Sequence, residues 1–245
     1  MQYEVQAGLH MTTYRGESRN IDNSRLLGLR TGRVYVTPLR QLVSWEGYGE
    51  RALLILNERR RGLRAVVAQP GPKRYVRVGG KLVRYTADYE LTFHDPLGGP
   101  HSDGPVIQEV WEAKSERALS EERWQEKQAA IEAQVSAEGK RFRVLNSTTA
   151  CYSMELRTAE VLRLYRTVPV ALEVEQWLTE AVSQELTTIG ELAEAAEHEG
   201  LGRQHIYAAL YVGILNVDES KRLNDTSLVT KGLGRIWPDT FSSQR

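Results

Sequence analysis

The run "VIQEVWEAK", residues 106–114, constrains the fold more than any other feature of the chain. Its apolar residues predict a buried strand, and a buried strand requires neighbouring strands and a covering layer. Glu112 and Lys114 lie two residues apart at its end, so both side chains are expected to project from the same face of the sheet. This pair forms either a simple surface ion pair or part of a metal-dependent nuclease site.

The segments around this strand predict a mixed sheet with helices on its faces. Alternating apolar residues indicate strands, and Gly79-Gly80 is a strong two-residue hairpin turn. "GRVYVTPL" near the N-terminus is compatible with a short strand. The other expected elements are a helix capped by Ser44, a strand over residues 63–72, the hairpin, a strand reaching Phe93, a loop over residues 94–105, a helix from the cap Ser120 to Gly139, and a strand over residues 141–147.

The chain becomes predominantly helical after Tyr152. A helix over residues 189–198, a glycine-bearing turn, a helix over residues 203–215 and a polar hairpin around residues 218–225 are typical of a winged helix-turn-helix. The second helix of such a fold can enter a DNA major groove, with Arg203 and Gln204 at its exposed end. The first helix is acidic, so a protein partner is an equally open interpretation.

These patterns divide the chain into three parts. Residues 1–40 form a basic extension, residues 41–150 a core, and residues 151–245 a C-terminal domain. The expected fold class is α/β (α+β), with a mixed sheet flanked by helices and then an all-α, winged-helix-like domain.

Composition limits the classes of protein that fit. Hydrophobic residues make up 41% of the chain and charged residues 26%, as in ordinary soluble proteins. Because Cys151 is the only cysteine, we expect no internal disulfide and no cysteine-based zinc site, which suits a reducing cytoplasm. We see no signal peptide and no apolar run long enough to span a membrane, and we expect a cytoplasmic protein.

The net charge of zero hides an asymmetry along the sequence. Basic residues outnumber acidic ones over residues 1–85, and the reverse holds over residues 106–200. A basic segment suggests a polyanionic partner such as DNA. The run Arg59, Arg60 and Arg61 is therefore a candidate DNA contact, although such runs are equally often solvated surfaces.

The strand and its neighbours also supply the parts of a nuclease centre. Metal-dependent phosphodiester cleavage requires oxygen ligands for Mg²⁺ or Mn²⁺ and a group beside the attacking water. If the strands that flank residues 94–105 pair in antiparallel fashion, Asp88 lies near Glu112, with Lys114 on the same face. Glu50, on the preceding helix, can complete a second metal position, with Glu46 one turn earlier.

Five short stretches resemble the TnsA family, whose members are endonuclease subunits of heteromeric transposases with a restriction-endonuclease-like PD-(D/E)xK core. They are "SWEGYGERALLIL", "VVAQP", "RYTADYEL", "VWEAKS" and "GKRFRVLNS", which together span residues 44–147. Two positions depart from the family pattern, since Ala87 replaces a proline and Ala113 a valine. Neither departure removes a ligand.

The resemblance implies a role for each matching residue and a set of partners. Glu50, Asp88, Glu112 and Lys114 would be catalytic, and the first three, with the Ala113 carbonyl, would hold two Mg²⁺ or Mn²⁺ ions. Gln69, in the Gln-Pro position, would be structural or close to DNA. A bacterial protein of this family would cut the 5′ ends of a transposon beside the DDE-type recombinase TnsB and the AAA+ ATPase regulator TnsC.

Two other functions remain open at this point. The chain could be a different nuclease with the same core, such as a restriction or phage DNA-processing enzyme. It could also be a non-enzymatic DNA-binding regulator that works through its winged helix. Under the last hypothesis, Asp88 and Lys114 would be dispensable.

Overall fold

The computed structural model describes residues 30–94, 105–183 and 188–236. The weakly patterned residues 1–29 lie outside these ranges, as do residues 95–104 of the loop expected at 94–105. Across the described residues, no helix combines the length and the apolar character that crossing a membrane requires.

A four-stranded mixed sheet forms the centre of the N-terminal part. Its strands are β3 (Leu63–Ala68), β6 (Tyr89–His94), β7 (Val106–Lys114) and β8 (Arg141–Asn146), in that spatial order. The pairs β3–β6 and β6–β7 are antiparallel, and β7–β8 is parallel. The expected antiparallel pairing across residues 94–105 is therefore confirmed.

Two further antiparallel pairs stand outside this sheet. β1 (Thr31–Val36) pairs with β2 (Gln41–Glu46), and a short 3-10 helix, Thr37–Leu39, joins them. β4 (Arg74–Val78) pairs with β5 (Lys81–Tyr85) around Gly79-Gly80, which confirms the predicted hairpin. Both glycines have positive φ, +53° and +76°, as a tight two-residue turn requires.

Each face of the sheet is covered by its own layer. One face packs against α1 (Tyr48–Glu58), the β1–β2 hairpin and α5 (Met154–Arg163). The other packs against α3 (Glu122–Ala137) and the inner face of the β4–β5 hairpin. Two short helices, α2 (Glu116–Leu119) and α4 (Ser147–Tyr152), follow β7 and β8.

The C-terminal part has its own apolar core. Its helices are α6 (Leu172–Ser183), α7 (Ile189–His198) and α8 (Arg203–Val212), followed by β9 (Leu215–Val217) and β10 (Val229–Lys231), which pair antiparallel. The expected succession of two helices and a hairpin is present, and residues 218–225 lie between its strands. The prediction of an all-α domain is wrong, because these two strands belong to it.

Three predicted positions are corrected by the structure. Ser44 is not a helix cap, because it lies in β2 and pairs with Arg33, and α1 begins four residues later. Ser120 is not the cap of α3, which Glu121 precedes without a side-chain capping bond. The boundary drawn after residue 40 falls inside the β1–β2 hairpin, so residues 31–40 belong with the core.

Candidate active site

Asp88 lies beside the charged end of β7. It directly precedes β6, and its backbone N–H donates to the carbonyl of Trp111 at 3.1 Å. Its carboxylate oxygen Oδ2 accepts from the backbone N–H of Ala113 at 2.7 Å. Since Ala113 stands between Glu112 and Lys114, the sheet register brings these three predicted site residues together.

Glu112 and Lys114 share a face of β7, as the alternation predicted. Glu112 is buried, and one of its carboxylate oxygens pairs with the ammonium of Lys114. The other accepts from the Tyr85 hydroxyl at 3.0 Å. Lys114 also lies over the indole ring of Trp124, 5.2 Å from its centroid. Both charged groups are thus held in place before any substrate arrives.

Glu50 enters from the first turn of α1. Its Oε2 accepts from the backbone N–H of Glu46 at 2.7 Å and from the Tyr89 hydroxyl at 3.3 Å. Glu46 does not lie one turn earlier on the helix, contrary to the prediction, because it is the last residue of β2. Glu50, rather than Glu46, is among the charges that raise the pKa of Asp88.

The acidic groups perturb one another. Burial, and then the nearby Glu46 and Glu112 carboxylates, raise the pKa of Glu50 to about 7, although the Glu46 N–H and the Tyr89 hydroxyl oppose this. Burial together with the Glu112 and Glu50 carboxylates holds the pKa of Asp88 well above its usual range. Burial alone would lower the pKa of Lys114, but Glu112, Asp88 and Glu50 raise it. Such clustering of perturbed groups is typical of functional sites.

Two open clefts meet at Glu50 and Asp88, and Glu112 lines neither of them. One, of about 510 Å³, is lined by Glu50, Asp88 and Lys114 together with residues of α4. The other, of about 320 Å³, is lined by Glu50, Asp88 and Gln69 and by the cations Lys73 and Arg84. The acidic centre is therefore accessible from two sides.

Gln69 lies at the edge of the second cleft in a constrained conformation. Its φ is +44°, a left-handed value that non-glycine residues seldom adopt. Its backbone N–H donates to the Asp88 carbonyl at 2.8 Å. Its side chain is buried, and its carbonyl oxygen Oε1 has no hydrogen-bond partner. A buried acceptor without a partner costs about 1–3 kcal/mol, so this oxygen is suited to water or a cation.

The residues present suit a hard divalent cation in their chemistry. Glu50, Asp88 and Glu112 offer carboxylate oxygens, and Gln69 offers its buried amide oxygen, which are ligands that Mg²⁺ and Mn²⁺ prefer. Among the described residues, no three His, Cys, Asp or Glu side chains already stand in a metal-binding cluster. The oxygens of Glu112 are held by Lys114 and Tyr85, so binding would require them to rearrange.

The guanidinium groups of the arginine run, a predicted DNA contact, make internal hydrogen bonds. Arg59 donates to the Leu210 carbonyl at 2.8 Å and to Glu219 at 2.5 Å, and Arg61 donates to the carbonyls of Leu233 and Gly234. These bonds join α1 and the segment after it to the C-terminal part of the chain.

Arg60 has an equally internal role. It makes two hydrogen bonds, of 2.6 and 3.1 Å, to the buried carboxylate of Glu109 and lies 4.2 Å from the centroid of Phe93. All three guanidinium groups thus have partners within the fold, and a contact of the run with DNA stays a prediction.

Arg203 and Gln204 do lie exposed at the start of α8, as predicted. Arg203 pairs with Asp225, which stands in the loop between β9 and β10. Neither residue lines the two clefts at the acidic centre.

Three residues that hold the structure together are not evident from sequence patterns alone. Tyr85 and Tyr89 fit simple strand alternation, yet their hydroxyls bind Glu112 and Glu50. The spacing "YTADY" around Asp88 is the signal that could have identified them. Glu58 is fully buried and accepts from the Thr37 N–H at 2.8 Å, Arg163 at 2.5 Å and the Tyr211 hydroxyl at 2.8 Å.

Comparisons of the chain with protein-family models and with curated proteins gave no significant match. The function of the chain is therefore inferred from its fold and from the geometry of the site.

Proposed function

We propose that this chain is a metal-dependent DNA endonuclease with a restriction-endonuclease-like core. The observation that carries the proposal is the bond from the Ala113 N–H to Asp88, which sets that carboxylate against the Glu112–Lys114 pair. An aspartate beside E-x-K on a neighbouring strand, with a helix glutamate in the same cleft, is the arrangement that the TnsA resemblance implies. Mixed-sheet architecture with helices on both faces is compatible with that core.

In this proposal, Glu50, Asp88, Glu112 and the Ala113 carbonyl would hold Mg²⁺ or Mn²⁺, two ions as the TnsA resemblance implies. When bound, such ions would polarise the phosphate and lower the pKa of water. Lys114 stays protonated at neutral pH, since the neighbouring carboxylates raise its pKa. Its ammonium orients the attacking water and offsets the negative charge that develops on the phosphate. Tyr85 and Tyr89 keep Glu112 and Glu50 in position.

The role that best suits the whole chain is the 5′-end cleavage subunit of a heteromeric transposase. The C-terminal pair of helices with its hairpin is compatible with a winged helix, and its separate core suits a partner-binding domain. In this role the chain works on transposon-end DNA with a TnsB-like DDE recombinase and a TnsC-like AAA+ ATPase. A bacterial cytoplasmic setting follows from the same resemblance.

Strand-specific nicking tests this function. Duplex DNA that carries the ends of the element encoding the chain is incubated with Mg²⁺, the purified chain, and its neighbouring recombinase when one is encoded there. Cuts at the 5′ ends that depend on Mg²⁺ and on the recombinase support the transposase role. Efficient cleavage by the chain alone indicates another nuclease with this core, and sequence-specific DNA binding without any cleavage overturns the nuclease proposal.

A further inference from the structure

The β4–β5 hairpin presents one of its two faces to solvent. Val76, Val83 and Tyr85 point inwards and pack against α3. The opposite, outer face carries two cross-strand pairs, Tyr75 with Arg84 and Arg77 with Leu82. Tyr75 is 57% exposed and Leu82 is 64% exposed, so both large side chains are available for contact on this face.

The cations of this hairpin are divided between the two faces. Arg74 is directed inwards and is neutralised by Glu90 and Glu138. Arg77 and Arg84 lie exposed on the outer face, where Arg77 donates to the Gly80 carbonyl at 3.0 Å. Residues 73–87 contain no acidic residue, and the carboxylate that touches the turn is Glu126, which accepts from the Gly79 N–H. The outer face is therefore electropositive.

This face continues into the acidic centre. Arg84 and Lys73 line the cleft that also contains Asp88 and Glu50. A polyanion lying along the hairpin would thus pass from exposed guanidinium groups directly to the carboxylates. Arginines neutralise phosphates, whereas Tyr75 and Leu82 offer apolar contact to sugars and bases. A two-stranded antiparallel ribbon is also one of the elements that the major groove of B-DNA admits.

From these observations we infer that the outer face of the β4–β5 hairpin is the surface that holds duplex DNA beside the acidic centre. The inference rests on the proposed endonuclease function, which it deepens by naming the surface that positions the substrate.

The test is the binding of a fluorescein-labelled 30-bp duplex of random sequence to the full chain, measured by anisotropy in EDTA. Binding is measured for Arg77→Glu and Arg84→Glu across 50–200 mM salt. Each reversal removes a phosphate contact, so each should weaken binding about tenfold and reduce the slope of log K against log salt by about 0.9. Melting temperatures should stay unchanged, because both side chains are exposed.

Arg141→Glu is the matched control. Arg141 is exposed and pairs in register with Glu109, which lies five residues before Lys114 in β7. This variant has the same change in net charge as the hairpin variants. It should bind DNA within about twofold of the unmodified chain, because a charge that contacts no phosphate acts only through long-range electrostatics, which salt screens. Equal losses in all three variants, no loss in the hairpin variants, or no DNA binding at all would overturn the inference.

Binding and cleavage separate the two proposals. If the hairpin variants lose affinity but the unmodified chain cuts no DNA with Mg²⁺ under any condition, the surface stands and the nuclease function fails. If the chain cuts DNA and the hairpin variants bind and cut normally, the nuclease function stands and the surface fails.

Discussion

The carboxylate of Asp88 and the backbone N–H of Ala113 are joined by a 2.7 Å hydrogen bond. This bond fixes a carboxylate from the start of one strand against the middle of an E-x-K sequence on the next. The bond forms only in the observed β6–β7 register, so the pairing of these strands also determines the geometry of the site. A shift of one residue would turn Glu112 and Lys114 to the other face.

The choice between Glu50 and Glu46 is testable by amide substitution. Glu50→Gln should reduce Mg²⁺-dependent nicking at least about 100-fold, because it removes a cation ligand from the cleft. Glu46→Gln is the matched control, since Glu46 lines the same cleft and its backbone N–H bond to Glu50 survives the substitution. Nicking rates of the two variants decide the assignment, and a larger loss in Glu46→Gln would reverse it.

The raised pKa of Glu50 predicts a pH-dependent stability in the absence of divalent ions. A carboxyl group whose pKa is raised on folding stabilises the protein at low pH, and this stabilisation is lost as pH rises from about 4.5 to about 7. We expect chemical denaturation in EDTA to show a decrease in the free energy of unfolding on the order of 2 kcal/mol across this window.

Glu50→Gln serves as the control for this pH effect, because an amide does not titrate. Its free energy of unfolding should change less over the same window and should exceed that of the unmodified chain at pH 8. Addition of Mn²⁺ at pH 8 should stabilise the unmodified chain more than the variant. Identical pH profiles for the two proteins would contradict the role assigned to Glu50.

The buried carboxylate of Glu58 predicts a large effect of a distant arginine. Arg163→Leu removes its charged partner and leaves the carboxylate with only the Thr37 N–H and the Tyr211 hydroxyl. The cost should be about 3–5 kcal/mol in the free energy of unfolding. Arg157→Leu, at an exposed position on the same helix, should change it by less than about 0.5 kcal/mol. Equal losses in the free energy of unfolding for the two variants would show that burial of Glu58 does not depend on its pairing with Arg163.

Gln69 allows the backbone and the side chain to be tested separately. Its φ of +44° suits glycine better than glutamine, so Gln69→Gly should keep the free energy of unfolding within about 1 kcal/mol. We expect the same variant to lose Mg²⁺-dependent nicking at least about tenfold, because it removes the amide side chain of a residue that lines the cleft. Full nicking activity in Gln69→Gly would show that only the backbone conformation matters.

Local patterns predicted most of the elements around the site. The alternation in residues 74–93 and the Gly79-Gly80 turn predicted three strands in their correct places, and the charged end of β7 predicted a shared face for Glu112 and Lys114. These features depend on neighbours close in sequence. Asp88 could be placed beside them because antiparallel pairing across a single loop leaves few alternatives.

Predictions failed where distant residues decide the structure. Ser44 and Glu46 follow the pattern of a helix start, but pairing with residues 31–36 draws them into a strand. The internal bonds of the arginine run could not be predicted because its partners lie far along the chain. Arg60 binds Glu109 across 49 residues, and Arg59 binds the Leu210 carbonyl across 151 residues. The sequence alone does not show whether an arginine side chain is exposed or has a partner inside the fold.

Titration of the chain with Mn²⁺ at pH 8, followed by calorimetry, tests the central claim most directly. The unmodified chain should bind Mn²⁺, and Asp88→Asn should lose at least about tenfold in affinity while keeping its fold, because a ligand of the proposed site is neutralised. Asp218→Asn, at an exposed position in the C-terminal part, should bind like the unmodified chain. Equal affinity in the Asp88 variant would contradict a cation site at Asp88 and Glu112.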